Sequence, residues 1–283
     1  MKIQLGRKSE DRVAVTIAYV ILIILLLWSL FPVYWMVATS FKSDAEMYRV
    51  NITFIPQEFT LKHYSKILFD SPFPVQFRNS LIVSVTTTLL SMFVGSLAAY
   101  SITRLQYRGR QVFARSLIFG YLIPPTVLFI PLFALMQGIN LINSVFSLIL
   151  AYLTFTVPFC TWLLISYFRT IPPELDEAAL VDGATRVQAL WHIVLPLSTP
   201  AMAVVALFSF TLSWNEFLYA LVLTSTQYSR TATVGINSML AEDVFFWGQM
   251  MAASLVTAAP PVLMYFFSQK WVVGGLTLGG VKA

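Results

Sequence analysis

Charged side chains are scarce in this sequence: Asp, Glu, Lys and Arg make up 11% of its 283 residues, whereas 58% are hydrophobic. A soluble globular domain carries about a quarter charged residues. The composition therefore excludes an ordinary soluble domain and indicates a polytopic membrane protein, in which spans must be counted instead of domains. The net charge of +5 requires no nucleic-acid partner, because Lys and Arg accumulate in the cytoplasmic loops of membrane proteins.

Residues that bind metals or form cross-links are equally sparse. Cys160 is the single cysteine and lies in an apolar run, which excludes an internal disulfide and a cysteine-based metal framework. The two histidines, His63 and His192, are too few to form a cluster by themselves. We therefore expect no metal site in this chain.

Sequence patterns for catalysis and nucleotide binding are also missing. A phosphate-binding loop requires G-x-x-x-x-G-K-[ST], and the glycine-rich stretch Gly274–Gly280 is followed by Val281 instead of the lysine. The nucleophile motif G-x-S-x-G and the zinc motif H-E-x-x-H do not occur either. We expect a non-catalytic chain with no catalytic residues and no cofactor of its own. ATP and Mg²⁺, if used, must be bound by another protein.

Long apolar runs predict an all-α protein with six transmembrane helices, since a helix needs about 20 residues to cross a bilayer core. The uncharged segment between Arg115 and Arg169 is too long for one span, and the turn-like residues 137–144 divide it into spans 3 and 4. Prolines at 124, 125, 131, 158, 260 and 261 are candidate bending points, although proline is also simply frequent in membrane helices. The other four spans are predicted at Val13–Val37, Asn79–Thr103, Leu197–Leu223 and Val244–Gln269.

The distribution of Lys and Arg predicts how these spans are oriented. Residues 1–12 contain four basic side chains and the loop after span 2 contains four more, whereas the loop after span 3 has none. We predict cytoplasmic termini, including a tail of residues 275–283, around a transmembrane domain at 13–274. The loop 42–77 is then external and the loop 170–196 is cytoplasmic.

The loop 170–196 concentrates negative charge. It holds four of the thirteen acidic residues, namely Glu174, Asp176, Glu177 and Asp182. Prolines and carboxylates favour a helix start at 172–177, and Gly183 is placed for a left-handed C-terminal cap. A second short helix is predicted at 185–193, before Leu195-Pro196. We interpret the segment as a docking surface for a soluble partner, which the small Ala178 and Ala179 allow to approach closely.

The order Glu177-Ala178-Ala179, then Gly183, then Leu195-Pro196 resembles the coupling loop of ABC-importer permeases. The resemblance covers essentially the whole chain and is strongest to the smaller, six-span partner of maltose-type permease pairs in the carbohydrate-uptake class. The other stretches that carry it are Ser40-Phe41-Lys42, Arg78-Asn79-Ser80-Leu81, Ser213-Trp214-Asn215-Glu216-Phe217 and Gly274-Gly275-Leu276-Thr277.

This resemblance implies a type I importer permease fold in a bacterial or archaeal plasma membrane. It implies that a second permease subunit, two ATPase subunits that bind ATP and Mg²⁺, and an extracellular or periplasmic solute-binding protein are the partners. The solute would be a sugar or related compound. The residues that would dock on the ATPase are Glu177, Ala178, Ala179, Asp182 and Gly183.

Glu216 is the one carboxylate within a predicted span, and ionisable groups at membrane depth face a cavity or a partner. In one interpretation it lines the substrate pathway together with Trp214 and Asn215. In the other, it pairs with a polar group of a neighbouring helix or lies in the interfacial region. For the whole protein, the alternatives are an ATP-independent secondary transporter or channel and, less favoured, a membrane enzyme.

Overall fold

The computed structural model describes residues 4–241 and 244–280, which are mostly helical. The elements in chain order are α1 (Gln4–Ser40), α2 (Asp44–Met47), α3 (Lys62–Phe69), α4 (Phe73–Arg104), α5 (Arg110–Leu122), α6 (Pro125–Gly138), α7 (Val145–Phe168), α8 (Glu174–Val181), α9 (Arg186–Ala189), a π-helical turn (Leu190–Val194), α10 (Leu195–Leu197), α11 (Thr199–Trp214), α12 (Leu218–Leu223), α13 (Ala232–Asn237), β1 (Leu240–Ala241), β2 (Val244–Phe245) and α14 (Trp247–Gly280). The two short strands pair antiparallel.

The chain folds into two compact units. The first contains the residues up to Ser71 together with Met239–Val256, and the second contains Pro72–Ser238 together with the residues from Thr257 onward. In the first unit, α3 buries His63, whose Nε2 lies 2.9 Å from the carbonyl oxygen of Lys42.

Four unbroken helices are long and apolar enough to cross a membrane, within α1, α4, α7 and α14. Two further candidates are bent pairs: α5 and α6 meet at 99°, and the segment Arg186–Leu197 meets α11 at 83°. With each bent pair taken as one span, the described residues contain up to six spans, the number predicted. The second pair, however, begins at Arg186, within the loop 170–196 that was predicted to be cytoplasmic. The first bend lies at Ile123 and Pro124, where a residue before proline is driven out of the helical conformation.

Several predicted boundaries were wrong. Span 5 was predicted as one helix at Leu197–Leu223, but α11 ends at Trp214 and a separate short helix, α12, follows. The second span begins six residues earlier than predicted, at Phe73, because Pro72 and Pro74 suit the start of a helix. The cytoplasmic tail at 275–283 stays a prediction: α14 continues as far as Gly280, and residues 281–283 lie outside the described residues.

The core of the second unit lies where α4 packs against α7 and α11. Gly95 allows the close approach of α4 and α7, because a Cβ atom there would lie 3.0 Å from the Cβ of Cys160. Small hydroxyls and the thiol bridge the helices: Ser91 and Thr156 lie 2.6 Å apart, and Cys160 and Ser209 lie 2.9 Å apart. Such small polar residues are typical of helix packing in membranes.

Candidate functional site

Residues 170–196, called here the coupling segment after the role predicted for them, begin with a helix whose first residues suit a helix start. Pro173 precedes α8, and Glu174, Asp176 and Glu177 all fall in its first turn. Carboxylates there interact favourably with the positive end of the helix dipole. The predicted helix is therefore confirmed, at Glu174–Val181.

Gly183 ends α8 in the conformation that the sequence predicted. Its φ angle is +89°, in the left-handed region. The Ala184 amide donates to the carbonyl of Ala179 at 2.9 Å, and the Gly183 amide donates to that of Leu180 at 3.1 Å. These two bonds form a Schellman cap, which satisfies the last carbonyls of the helix.

The second half of the segment is fixed by a cap and by burial. Thr185 and Gln188 form a capping box at the start of α9, in which each side chain bonds the backbone of the other residue. Leu190 and Val194 then enter the core formed by α4, α7 and α11. The short helix predicted at 185–193 is confirmed, and it anchors the segment to the transmembrane helices.

An ion pair holds the first half of the segment to α4. The Arg104 Nε lies 2.5 Å from the Oδ2 of Asp176, and both side chains are buried. The Arg104 Nη2 also donates to the carbonyl of Ile171 at 2.7 Å. Asp176 is one of the four acidic residues of the segment that we interpreted as a docking surface, but it is 1% exposed and therefore does not contribute to such a surface. Sequence reasoning used Arg104 only to orient the spans and missed this role.

The remaining predicted docking residues lie on the surface. Glu177, Ala178, Asp182 and Gly183 are exposed, and Ala179 is half-buried. Between α8 and α9 lies a shallow hollow of about 370 Å³, lined by residues that include Asp182, Gly183 and His192. A partner surface can thus contact the exposed face of α8 and the adjoining hollow together.

The three tentative pathway residues do not share one surface. Trp214 is buried at the end of α11, where its Nε1 donates to the carbonyl of Thr257 at 3.0 Å. Asn215 is exposed, and Glu216 is half-buried in the turn between α11 and α12. The structure thus places Glu216 after a helix end and not within a span.

The Glu216 carboxylate caps α12. It accepts the amide hydrogens of Tyr219 at 3.0 Å and Ala220 at 3.1 Å, and the Tyr152 hydroxyl donates to it at 2.8 Å. This geometry favours the second of our two interpretations, in which Glu216 pairs with a polar group on a neighbouring helix. Among the residues described, no group of three or more His, Cys, Asp and Glu side chains is arranged to hold a metal ion.

The first turns of α4 hold the loop between α12 and α13. Gln76 donates to the carbonyl of Gln227 at 3.2 Å, and Asn79 donates to those of Tyr228 at 2.7 Å and Arg230 at 3.1 Å. Asn79 belongs to one of the stretches that carry the family resemblance, and its contacts give that stretch a physical role.

Asn143 fixes the other side of the same loop. Its side-chain oxygen accepts the backbone amide hydrogens of Ser225 and Thr226, each at 3.0 Å. The backbone amide of Asn143 donates to the carbonyl of Leu223 at 2.7 Å. Asn143 has a φ angle of +65°, which asparagine tolerates better than most residues. The turn predicted at 137–144 therefore also anchors a distant loop, which its sequence did not indicate.

Comparison with known proteins places this geometry in a family. Residues 77–277 match the family model described as "Binding-protein-dependent transport system inner membrane component". The inner membrane ABC transporter permease protein YcjP of Escherichia coli is 38% identical over 92% of this chain and 94% of its own. The sulfoquinovosyl glycerol transport system permease protein SmoH of Agrobacterium fabrum is 38% identical over 92% of this chain and 91% of its own.

The fold is also found among solved structures. A chain from the crystal structure of a bacterial ABC transporter involved in the import of the acidic polysaccharide alginate superposes with a TM-score of 0.79. The match covers 92% of this chain and 97% of that chain at 23% sequence identity, and shows a shared fold. Together with the family match over residues 77–277, these similarities identify the chain as a member of the binding-protein-dependent transport system inner membrane components.

Proposed function

We propose that this chain is the membrane permease subunit of an ATP-driven importer for a sugar or related solute, which an extracellular binding protein delivers. Family membership supports dependence on a binding protein. The solute class is supported by what similar proteins carry, since one belongs to a sulfoquinovosyl glycerol transport system and another takes part in alginate import.

The observation that carries the proposal is the attachment of an exposed helix to the transmembrane core. The face of α8 around Ala178 is accessible, while Asp176 on its other side is paired with Arg104 at the end of α4. A partner that moves α8 therefore also moves α4. In this function ATPase subunits bind ATP and Mg²⁺ and drive that motion, and no nucleotide chemistry is required of this chain.

The partners in this proposal are two ATPase subunits, a second permease subunit that makes a heterodimer, the binding protein and the lipid bilayer. Residues 170–196 and both termini face the cytoplasm, because basic residues are concentrated on that side. The loop 42–77 faces the outside. The docking residues are Glu177, Ala178, Ala179, Asp182 and Gly183.

An ATP-independent secondary transporter is the competing function. It would need an intramembrane carboxylate that binds the coupling ion. Both oxygens of Glu216 already accept hydrogen bonds from Tyr152 and from the first amides of α12. This arrangement favours the ATP-driven alternative.

Copurification tests the proposal. The full-length chain carries an affinity tag, is extracted from its native membrane in a mild detergent and is analysed for bound subunits and for ATP-dependent uptake. We expect ATPase subunits to copurify with it. Ala178→Arg should abolish both their binding and uptake, because it places a long charged side chain on the docking face.

Asn51→Arg is the matched control, since Asn51 is equally exposed but belongs to the loop 42–77. It should retain both ATPase binding and uptake. Uptake without any bound ATPase, or unchanged ATPase binding in Ala178→Arg, would show that the proposal is wrong. If the proposal holds, measuring which solutes bind to the associated binding protein will identify the transported solute.

A further inference from the structure

A cavity of about 260 Å³ opens in the first unit at the C-terminal end of α1. It lies between that end, the loop that follows and the start of α14, and we call it the α1-end pocket. The indoles of Trp35 and Trp247 contribute apolar walls, and Thr39, Lys42 and Arg49 contribute polar groups. None of these residues belongs to the coupling segment or to the Glu216 site.

Lys42 is a buried cation with hydrogen-bonding capacity left over. Its side chain is 3% exposed, its ammonium donates to the carbonyl of Thr53, and it lies 4.4 Å from the ring centroid of Trp35. An ammonium has three N–H donors. Within the described residues, the carbonyl of Thr53 and the ring of Trp35 account for two of them, so one donor remains. The Glu46 carboxylate compensates part of this charge, but Lys42 and Arg49 together leave the lining with one net positive charge, which favours an anionic partner in the pocket.

Thr39 and Arg49 supply further donors. The Thr39 hydroxyl is buried and has no hydrogen-bond partner within the described parts of the chain. The Arg49 guanidinium is exposed at the pocket and bonds Gln57 Oε1 at 3.3 Å, which uses one of its five N–H groups. Three side chains that line one cavity thus have unused donors.

The one carboxylate in the lining, Glu46, already accepts hydrogen bonds from three groups of the neighbouring loop. The Thr53 hydroxyl and the amides of Gln57 and Glu58 all donate to it. A pocket for a neutral sugar would offer acceptors as well as donors, and a pocket for a cation would offer acceptors alone. The α1-end pocket offers donors and excess positive charge, which matches an anion such as a phosphate group.

The position of the pocket indicates where that phosphate comes from. The apolar segment Ala14–Ser40 has 27 residues and an exposed surface, and it is about 40 Å long, longer than the ~30 Å bilayer core. Its last turns, which carry Trp35 and Thr39, therefore reach the headgroup layer, where tryptophan is enriched. A lipid with its headgroup in the pocket can lay its acyl chains along α1.

We propose that the α1-end pocket binds the headgroup of an anionic phospholipid. The phosphate accepts hydrogen bonds from Lys42, Thr39 and Arg49, while the acyl chains pack on the apolar surface of α1. The volume suits a phosphoglycerol headgroup and is below the ~300–1,000 Å³ of sites that enclose a whole drug-sized ligand. This binding does not depend on which solute is transported.

Native mass spectrometry of the delipidated full-length chain in detergent tests the proposal. Dioleoyl phosphatidylglycerol is titrated against dioleoyl phosphatidylcholine, and we expect one phosphatidylglycerol to bind preferentially. Arg49→Gln and Thr39→Val should each weaken that binding about tenfold, as expected for the loss of a hydrogen bond to a charged group. Lys62→Gln is the control, because Lys62 is an exposed lysine of the same unit outside the pocket and should leave binding unchanged.

Arg49 is exposed, so its replacement tests binding without disturbing the buried network around Lys42. Equal binding of the two lipids, or an unchanged preference in both Arg49→Gln and Thr39→Val, would overturn the proposal. A soluble competitor separates lipid from free phosphate. If glycerol 1-phosphate displaces phosphatidylglycerol at equal concentration, the acyl chains contribute nothing and the assignment to a lipid is wrong.

Discussion

Arg104 and Asp176 form a buried ion pair that joins the last residue of α4 to the first turn of α8, with 2.5 Å between Nε and Oδ2. The same guanidinium bonds the carbonyl of Ile171, just before α8. One side chain therefore fixes both the entry into the coupling segment and the orientation of its helix.

Replacing one partner of this ion pair should lower the stability of the protein more than replacing both partners. We expect Arg104→Met to destabilise the protein by about 3–5 kcal/mol and to reduce uptake, because it leaves the Asp176 carboxylate buried and unpaired. The double variant Arg104→Met with Asp176→Leu should recover much of that stability. Thermal unfolding of the purified chain measures both. A double variant no more stable than the single one would contradict this account of the pair.

The left-handed conformation of Gly183 can be tested without a steric clash, since a Cβ atom there would meet nothing within 4 Å. We expect Gly183→Val to lower uptake by straining the cap, by about 1–2 kcal/mol, whereas Gly183→Asn should retain it. Gly109 is a matched control, with a φ angle of +90° and equally open space. Gly109→Val should introduce similar strain but leave uptake intact. Equal uptake in Gly183→Val and Gly183→Asn would exclude a role for the cap.

Glu216 should contribute to stability and not to solute affinity. In Glu216→Gln the amide nitrogen cannot accept the bonds that one carboxylate oxygen receives from Tyr152 and Ala220, so we expect a loss of about 1–2 kcal/mol. The KM for uptake should not change. Asn215→Ala is the adjacent control and should alter neither quantity. A raised KM at unchanged stability would instead assign Glu216 to the substrate pathway.

Gly235 lies so close to Gln76 that a side chain at position 235 would displace the Gln76 amide group. A Cβ atom there would lie 1.9 Å from the Oε1 of Gln76, which also anchors the loop at Gln227. We expect Gly235→Ala to destabilise the protein by about 1–3 kcal/mol. Gly138→Ala is the control, because its Cβ would meet nothing within 4 Å. Thermal unfolding distinguishes the two, and equal midpoints would contradict the contact.

Because Glu46 holds the loop 42–58 through hydrogen bonds to its carboxylate, the local stability of this loop should fall at acidic pH. Burial alone would raise the pKa of Glu46, but bonds from Thr53, Gln57 and Glu58 and the charge of Lys42 outweigh it and lower the pKa below 4.5. A lowered pKa contributes stability that is present above the unfolded value and lost as pH falls through the folded value. We expect hydrogen-exchange protection of the Gln57 and Glu58 amides to fall below about pH 4.5. Glu46→Gln should show weaker protection at neutral pH and little further change on acidification.

The sequence predicted the parts of this fold that are encoded locally. Apolar length predicted six spans, and Pro173 and Gly183 marked both ends of α8, because helix caps depend on a few adjacent residues. The early end of α11 was not predicted, because Leu218–Leu223 is as apolar as the helix before it. The helix is interrupted at Glu216, whose carboxylate caps α12 and is held by the Tyr152 hydroxyl of another helix.

Long-range pairings also decided which candidate residues are accessible. The four acidic residues of the coupling segment look alike in sequence, yet Asp176 is buried against Arg104, which lies 72 positions earlier. Similarly, Asn143 was recognised only as part of a turn, although its side chain holds a loop about 80 residues away. Neither pairing has a local signal, since each depends on how the helices pack.

In the second unit, the unbroken helix α4 connects the loop 224–231 with α8. This helix of 32 residues is about 48 Å long and has no proline beyond its first turn. Gln76 and Asn79 at one end hold the loop 224–231, and Arg104 at the other end holds α8. A displacement applied at α8 therefore has a direct path to the loop 224–231, through one continuous helix with no proline kink between its two ends.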